Sequence, residues 1–563
     1  MATIKDLNDK FVKLDKLYNE FGLDSLGCSI KDYIVPDRGR FTATSANPTD
    51  RNAYARNDRK YVIEDTGEQA ANFLVGGFMS MLTPSTSPWF RLKPAMEELA
   101  QIKRVGEWYD AVTKMVLDVY NDTDVYNVLY STYLEMITFG TAAQMIESDV
   151  LDSIRPVSFT FGEYRIATNG KNKIDTFAYQ CYQYAHELAD RFGEDGLSEN
   201  AKRALKNNEP TLFKVRWIVT PNDGRLGFTS GSKDFVSVYW EADRPSHEDG
   251  ALEIKGFEEF PLQVPRYSTI SNDTYGKESP GQKQLANIKM LQSLTEDYLI
   301  AIKRVGDPPM VSDGNHSMIN TLPGGLTEAP NSVGGSIGVR PMFERDPNFP
   351  AIREGIEYWK RIINEGFFTH LLLIISGAEN DRKTAAEIIA RNEEKYGFLG
   401  SVLNRVFKEV LKPMIERTIN ILARDGMFDE DGPLPMPPEL VDQEYDINFT
   451  SLLAQAQEAI GLNQLDRFIE RMSIVADIKP EVLDKIDADA ITELYGKTVP
   501  TKALLDTEQV EELRAIKAQQ QAMAQQMAML ESTSDSVNKL AGADTSGENA
   551  LTDMAAAEEA GGL

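Results

Sequence analysis

The sequence predicts an α+β fold, mainly helical, on three observations. Apolar residues recur at helical spacing through most of the 563 residues. Between about 143 and 270 the period shifts toward two, the mark of half-buried strands. Two long amphipathic segments, 281–305 and 350–369, flank about forty residues rich in Gly, Pro, Ser and Asn, too many for a plain connector.

In chain order, residues 3–21 read as a helix whose apolar positions are Ile4, Leu7, Phe11, Leu14, Leu17 and Phe21. The run Ile30–Phe41 and a polar loop to about Arg59 follow. A second helix is expected from about Asp65 to Leu82, with small and apolar faces from Gly67, Ala70, Ala71, Leu74, Phe78 and Met81. It stops at Thr83-Pro84, since proline neither donates nor follows a helical residue well, and a strand begins at Trp89–Leu92. Helices are expected at about 95–120 and 124–139. Strand candidates are Val157–Phe161, Glu163–Ala167, Thr176–Tyr182, Phe213–Thr220 and Phe235–Trp240, with a helix at about 184–207 among them.

The helix at 281–305 gathers Ile288, Leu291, Leu294, Tyr298 and Ile302 on one side. Lys289, Ser293, Glu296, Asp297 and Arg304 fall on the other. It ends against Gly306-Asp307-Pro308-Pro309. The helix after Pro350 stripes Ile352, Ile356, Trp359, Ile363 and Phe367 opposite Arg353, Glu354, Glu357, Lys360, Arg361 and Glu365. At 1.5 Å per residue the pair spans roughly 37 and 28 Å. The insert carries short β-like runs at Pro309–Val311 and Ile337–Met342. Pattern alone leaves two readings open, a helical hairpin inside a larger domain or a small subdomain on a stalk. Residues 383–424 are again helical, with Pro413 kinking or dividing the run, and 426–440 form an acidic, proline-rich linker. Helices are expected at about 450–476, 479–496 and 506–531, and the Ser, Gly, Ala and acidic composition of 532–563 predicts a disordered tail.

The totals exclude some classes. A net charge of −28, from 59 basic and 87 acidic residues, rules out a general basic surface that wraps DNA, because duplex affinity comes mainly from phosphate neutralisation. Two distant cysteines, Cys28 and Cys181, make no disulfide scaffold and fit a reducing compartment. The N-terminus lacks an apolar signal core, and the longest apolar run, Phe367–Ile375, is far too short for a membrane span. Catalytic and metal motifs are weak. Gly334-Gly335-Ser336-Ile337-Gly338 lacks the lysine and helix of a phosphate loop. His186-Glu187 opens like a zinc-protease helix, but position 190 is Asp190. Asp425, Asp429 and Asp431 miss the register of a calcium loop, and Asp484, Asp487 and Asp489 read as a solvated acidic turn. No metal, cofactor or catalytic residue is expected.

One family does resemble this chain. The pieces are Tyr61-Val62-Ile63-Glu64-Asp65-Thr66-Gly67, Ala70-Ala71, Ser80–Ser85 and Pro88–Leu92, with Ile30–Phe41 before them. Phe139–Ala142, Gly256-Phe257, Pro261, Pro265-Arg266, Tyr275-Gly276, Lys383–Glu387, Asn448–Gln457 and Val499–Arg514 follow in order. Together they are similar to podovirus-type head-to-tail connectors, the portal proteins of short-tailed bacteriophages, over roughly residues 1–530. Two places depart from the family pattern: no basic-acidic pair stands near Gln180-Cys181-Tyr182, and Thr384-Ala385-Ala386-Glu387 replaces the family's Thr-Ala-Thr-Glu.

The resemblance implies a portal fold assembled as a ring of twelve copies. It divides the chain into a wing (1–280), a first stem helix (281–305), a clip (306–349), a second stem helix (350–369), a tunnel loop (370–383), wing helices and linker (384–449), a crown (450–531) and a tail (532–563). It implies a place at one capsid vertex of the virion, assembled in the host cytoplasm, with double-stranded DNA passing through. Implied partners are further copies of the chain, the terminase large subunit, a tail adaptor protein, and the major capsid and scaffolding proteins, with no membrane and no cofactor. Channel candidates are then Lys289, Glu296 and Arg304 on the stem and Asp381, Arg382 and Lys383 on the tunnel loop. Clip docking candidates are Asp313, Asn315, His316, Glu328 and Asn331. The alternatives are another ring-forming virion or scaffold protein, or an enzyme with an unrecognised site.

Overall fold

The structure is a computed structural model that describes residues 4–40, 59–306, 310–312, 339–341, 348–369, 400–450 and 513–524, with breaks at 101, 150–151, 225–230, 245–249, 272, 401, 442 and 521. Residues 1–457 and 458–563 are separate units. In the second, helix covers 513–520 and 522–524, with Leu513, Ile516 and Met523 exposed. The rest of the expected crown and tail lies outside the described residues.

Helix α1 (Ile4–Glu20) buries Ile4, Leu7, Phe11, Leu14 and Tyr18. The expected inner positions Leu17 and Phe21 are exposed instead, at 50% and 53%. Tyr18 takes the inward place, and the helix stops before Gly22, whose φ of 66° starts the turn into α2 (Leu23–Tyr33). The α1 stripe packs on Ala178, Ile218, Val236, Val238 and Trp240 to form a small core of its own.

Next come α3 (Thr66–Leu82), β1 (Phe90–Pro94), α4 (Glu97–Ala100), α5 (Lys103–Asp122) and α6 (Val125–Phe139). Strands β2 (Ala143–Asp149), β3 (Ser153–Phe159), β4 (Tyr164–Thr168) and β5 (Ile174–Tyr184) follow. The single helix expected at 184–207 is two, α7 (Ala185–Phe192) and α8 (Glu199–Lys206), parted at Gly193 with φ 78°. Then come β6 (Leu212–Pro221), β7 (Phe235–Glu241), β8 (Glu253–Phe257) and β9 (Leu262–Gln263). The last described elements of this unit are α9 (Pro280–Gly306), β10 (Met310–Ser312), β11 (Val339–Pro341), α10 (Phe349–Gly366), α11 (Lys412–Arg424) and β12 (Tyr445–Phe449).

The β region makes a five-stranded antiparallel sheet, β4-β5-β6-β7-β8, and a three-stranded one, β3-β2-β9. The two meet where Phe159 touches Phe177, Tyr179 and Trp217, with ring centroids 5.1 to 5.8 Å apart. Such tilted and edge-on aromatic contacts add to the apolar burial. The main core runs from α2 through α3, α5 and α6 to α9, α10 and α11.

One late strand returns to an early one. β12 pairs with β1 from Phe90↔Phe449 to Pro94↔Tyr445. The helix before α11 contains a π-type turn at Phe407–Leu411, directly ahead of Pro413. Proline lacks the N–H that would bond the carbonyl four residues back, so the widened turn accommodates it.

Candidate stem, clip and channel site

The site is built on α9 and α10. Ser279 caps α9: its hydroxyl accepts from Gln282 N at 3.3 Å, and Pro280 occupies the first turn, where no N–H partner is needed. The same hydroxyl donates to Thr138 O at 3.0 Å, and Gln282 Nε2 donates to Phe139 O at 2.8 Å. The helix is thus rooted on the last turn of α6. The approach is close. A Cβ at Gly281 would lie 2.5 Å from Thr138 O, and one at Gly276 would lie 1.9 Å from Gly140 O. This gives Tyr275-Gly276 and Phe139-Gly140-Thr141 a physical role, since Gly276 N also donates to Thr141 Oγ1 at 2.8 Å.

Further along, Ile288 and Leu291 are fully buried. Ile288 packs against Gly67, where a Cβ would meet its Cδ1 at 2.8 Å. Beyond that turn the same side of α9 is uncovered: Leu299, Ile302 and Val305 are exposed at 43%, 43% and 52%. The apolar stripe therefore serves two ends. Its inner half is consumed within the chain; in its outer half Tyr298 still meets Phe349 of α10, while Leu299, Ile302 and Val305 stay exposed.

On α10, Asn348 caps through its side-chain oxygen to Ala351 N at 3.3 Å. Ile356, Ile363 and Phe367 are buried, while Ile352 and Trp359 pack partly buried against the core, as the stripe predicts. Gly366 admits Gln284, whose side chain would sit 2.0 Å from a Cβ there. At the far end β10 and β11 pair antiparallel, Met310↔Pro341 to Ser312↔Val339. A two-stranded ribbon therefore lies within the insert.

The candidate side chains fare differently. Lys289, expected on the wet face, lies half-buried: its Nζ donates to Ser29 Oγ at 3.2 Å and sits 5.1 Å from the Tyr33 ring centre. Glu296 and Arg304 are exposed, and the structure does not bring them together with Lys289. Asp313, Asn315, His316, Glu328, Asn331, Asp381, Arg382 and Lys383 lie outside the described residues.

Sequence reading missed Gln292, only 4% exposed. Its Oε1 accepts from Ile63 N at 2.8 Å and Glu64 N at 3.0 Å, and its Nε2 donates to Glu64 O. A signal was present: four residues past Ile288, it lies only about 40° round the helix, on the buried side. Lys360, assigned to the wet face of α10, instead pairs with Glu64 at 3.1 Å. His186-Glu187 also finds an ordinary role, since Glu187 Oε2 accepts from Tyr184 N at 3.0 Å at the start of α7.

Two buried ionisable groups brace the root. Glu135, one turn before Thr138, accepts from Phe161 N at 2.9 Å and from the Thr160 hydroxyl. Burial pushes its carboxyl up to about 7, with Thr160 and Arg38 pulling the other way. Arg266, 5% exposed, gives its backbone N–H and its guanidinium to Glu409 at 2.9 and 3.1 Å. Glu409 belongs to the π-type turn, so the widened turn and the Pro265-Arg266 motif meet in one contact. Among the described residues no helix is long and apolar enough to cross a membrane.

Comparison with known proteins agrees with the resemblance drawn from the motifs. The model of the bacteriophage head to tail connecting protein family matches residues 7–504. The portal protein of Salmonella phage epsilon15 is 31% identical over 554 residues, covering 96% of this chain and 97% of that protein. The probable portal protein of Bordetella phage BPP-1 is 31% identical over 540 residues, with 93% of each covered. A chain of the virion of a native gene transfer agent particle aligns over 78% of this chain and 94% of its own, at 11% identity and a TM-score of 0.32. The chain belongs to the bacteriophage head-to-tail connecting protein family, a structural family and not an enzymatic one.

Proposed function

We propose that this chain is the portal subunit of a short-tailed phage. Twelve copies close a ring at one capsid vertex, and double-stranded DNA enters and leaves through the bore. The clip, 306–349, docks the terminase large subunit during packaging and a tail adaptor protein afterwards. The wing faces the major capsid and scaffolding proteins. The observation that carries this reading is the near end-to-end likeness to two phage proteins named as portal proteins.

Two physical features support it. The outer half of α9 leaves Leu299, Ile302 and Val305 uncovered, an apolar strip that a neighbouring copy would bury in a closed ring. The charge fits a passage rather than a binding surface, because a bore lined with cations would brake the duplex through counterion release.

Negative-stain microscopy of the purified protein tests the reading. Twelvefold rings with a hole of duplex width are expected. A monomer at all concentrations would count against it, and rings without a DNA-sized hole would favour another ring-forming virion protein. The docking role has its own test. Deletion of about 312–335 is expected to leave rings intact and abolish terminase and adaptor binding; rings that still package DNA would refute it.

A further inference from the structure

The motif Tyr61-Val62-Ile63-Glu64-Asp65-Thr66-Gly67 sits where three helices meet, and Glu64 is the residue all three share. Its main chain belongs to α9, since the Gln292 amide bonds both its N–H and its carbonyl. Its carboxylate belongs to α3 and α10. One oxygen accepts from Thr66 N at 3.0 Å, at the start of α3. The other accepts from Thr66 Oγ1 at 2.6 Å and from Lys360 Nζ at 3.1 Å.

Both long helices bury apolar residues in the same core, Ile288 and Leu291 on α9 and Ile356, Ile363 and Phe367 on α10, but their polar holds at this junction are unlike. On α9 the polar hold is an amide only 4% exposed, which bonds the main chain of Ile63 and Glu64. On α10 it is, among the described residues, one ion pair, with Glu64 13% and Lys360 32% exposed. A partly exposed ion pair responds to ionic strength, whereas buried apolar contacts and a buried amide do so far less.

We propose that Glu64 is a positioning residue for the stem, a charge latch that supplements the apolar packing of α10 and lets that helix loosen independently of α9. Packed helices move past one another by small shear steps, and a single charged link at their border is the kind of contact such a step breaks.

The test is amide hydrogen exchange on the full-length protein, which needs neither DNA nor a closed ring, so its failure would leave the portal reading standing. Lys360→Met is expected to raise exchange over residues 349–366 about fivefold while residues 280–292 stay within about twofold. Lys360→Arg is expected to restore the wild-type pattern. Raising salt on the wild-type protein is expected to move 349–366 toward the Lys360→Met pattern, a response that lost packing alone would not produce. The latch is overturned if both helices loosen together, if neither changes, if arginine fails to rescue, or if salt leaves α10 unmoved.

Discussion

Glu135 shows what a single buried carboxyl does to this fold. Desolvation disfavours its ionised form, and the bonds from Phe161 N and Thr160 only partly offset that. Its ordinary value of 4.5 becomes about 7 in the folded chain. A carboxyl raised in the folded state stabilises it fully below the unfolded value, and that contribution is lost as pH rises toward the folded one. The loss between pH 4.5 and about 7 amounts to about 3 kcal/mol. Glu135→Gln keeps a neutral acceptor in place and removes the titration. The variant's denaturant midpoint is expected to gain on wild type between pH 5 and pH 8. A constant difference across that range would mean that the carboxyl does not titrate there. Close approach acts at the same scale: Gly276→Ala would drive a methyl into Gly140 O, and a loss of about 1–3 kcal/mol is expected by thermal or denaturant melting.

At the level of elements, the π-type turn and Arg266 form one joint. Arg266 is almost wholly buried, and its Nε already lacks a bond among the described residues. Glu409→Ala would leave that guanidinium uncompensated. The expected cost is about 3 kcal/mol, against a change within about 0.5 kcal/mol for Lys408→Ala on the exposed side of the same turn. Equal effects from the two variants would remove the joint's importance. Pro413 made the division of this helix legible in sequence, but not the partner across it, because the Arg266–Glu409 contact spans 143 positions. The same limit explains β12, whose partner β1 lies hundreds of residues earlier and whose short run follows a proline-rich linker. The strongly periodic segments were legible almost to the residue: α3, α6, α9, α10, β6 and β7 fall within a few positions of expectation. Periodicity misjudged the ends, placing Leu17 and Phe21 inside where Tyr18 belongs. It also put Lys289 and Lys360 on solvent faces, because a pattern marks which side of a helix is apolar and not whether a neighbour covers the rest. The close approach of Gly140 and Gly276 appeared in sequence only as family motifs, and Gly67 and Ile288 only as members of two separate helix faces, since close approach is a tertiary property.

For the whole molecule the governing quantity is charge. Each chain carries −28, so a ring of twelve would carry −336. In such a bore a duplex is repelled on average and slides, and control over it falls to any local exception. Arg382 and Lys383, between the second long helix and the helix expected from Thr384, are the exception that we propose. On pattern alone they belong to a solvent loop; the family resemblance puts them where loops narrow the channel. Twelve copies would make a basic ring that touches passing phosphates weakly and transiently. Because the Debye length is about 10 Å at 0.1 M salt and about 3 Å at 1 M, that contact fades as salt rises. Replacing both residues with alanine is expected to leave ring assembly unchanged while altering DNA retention or packaging rate, with the largest difference from wild type at the lowest ionic strength. Matching retention and rate at every salt concentration would show that these two cations do not meet the DNA, and the brake would then have to be sought elsewhere along the bore.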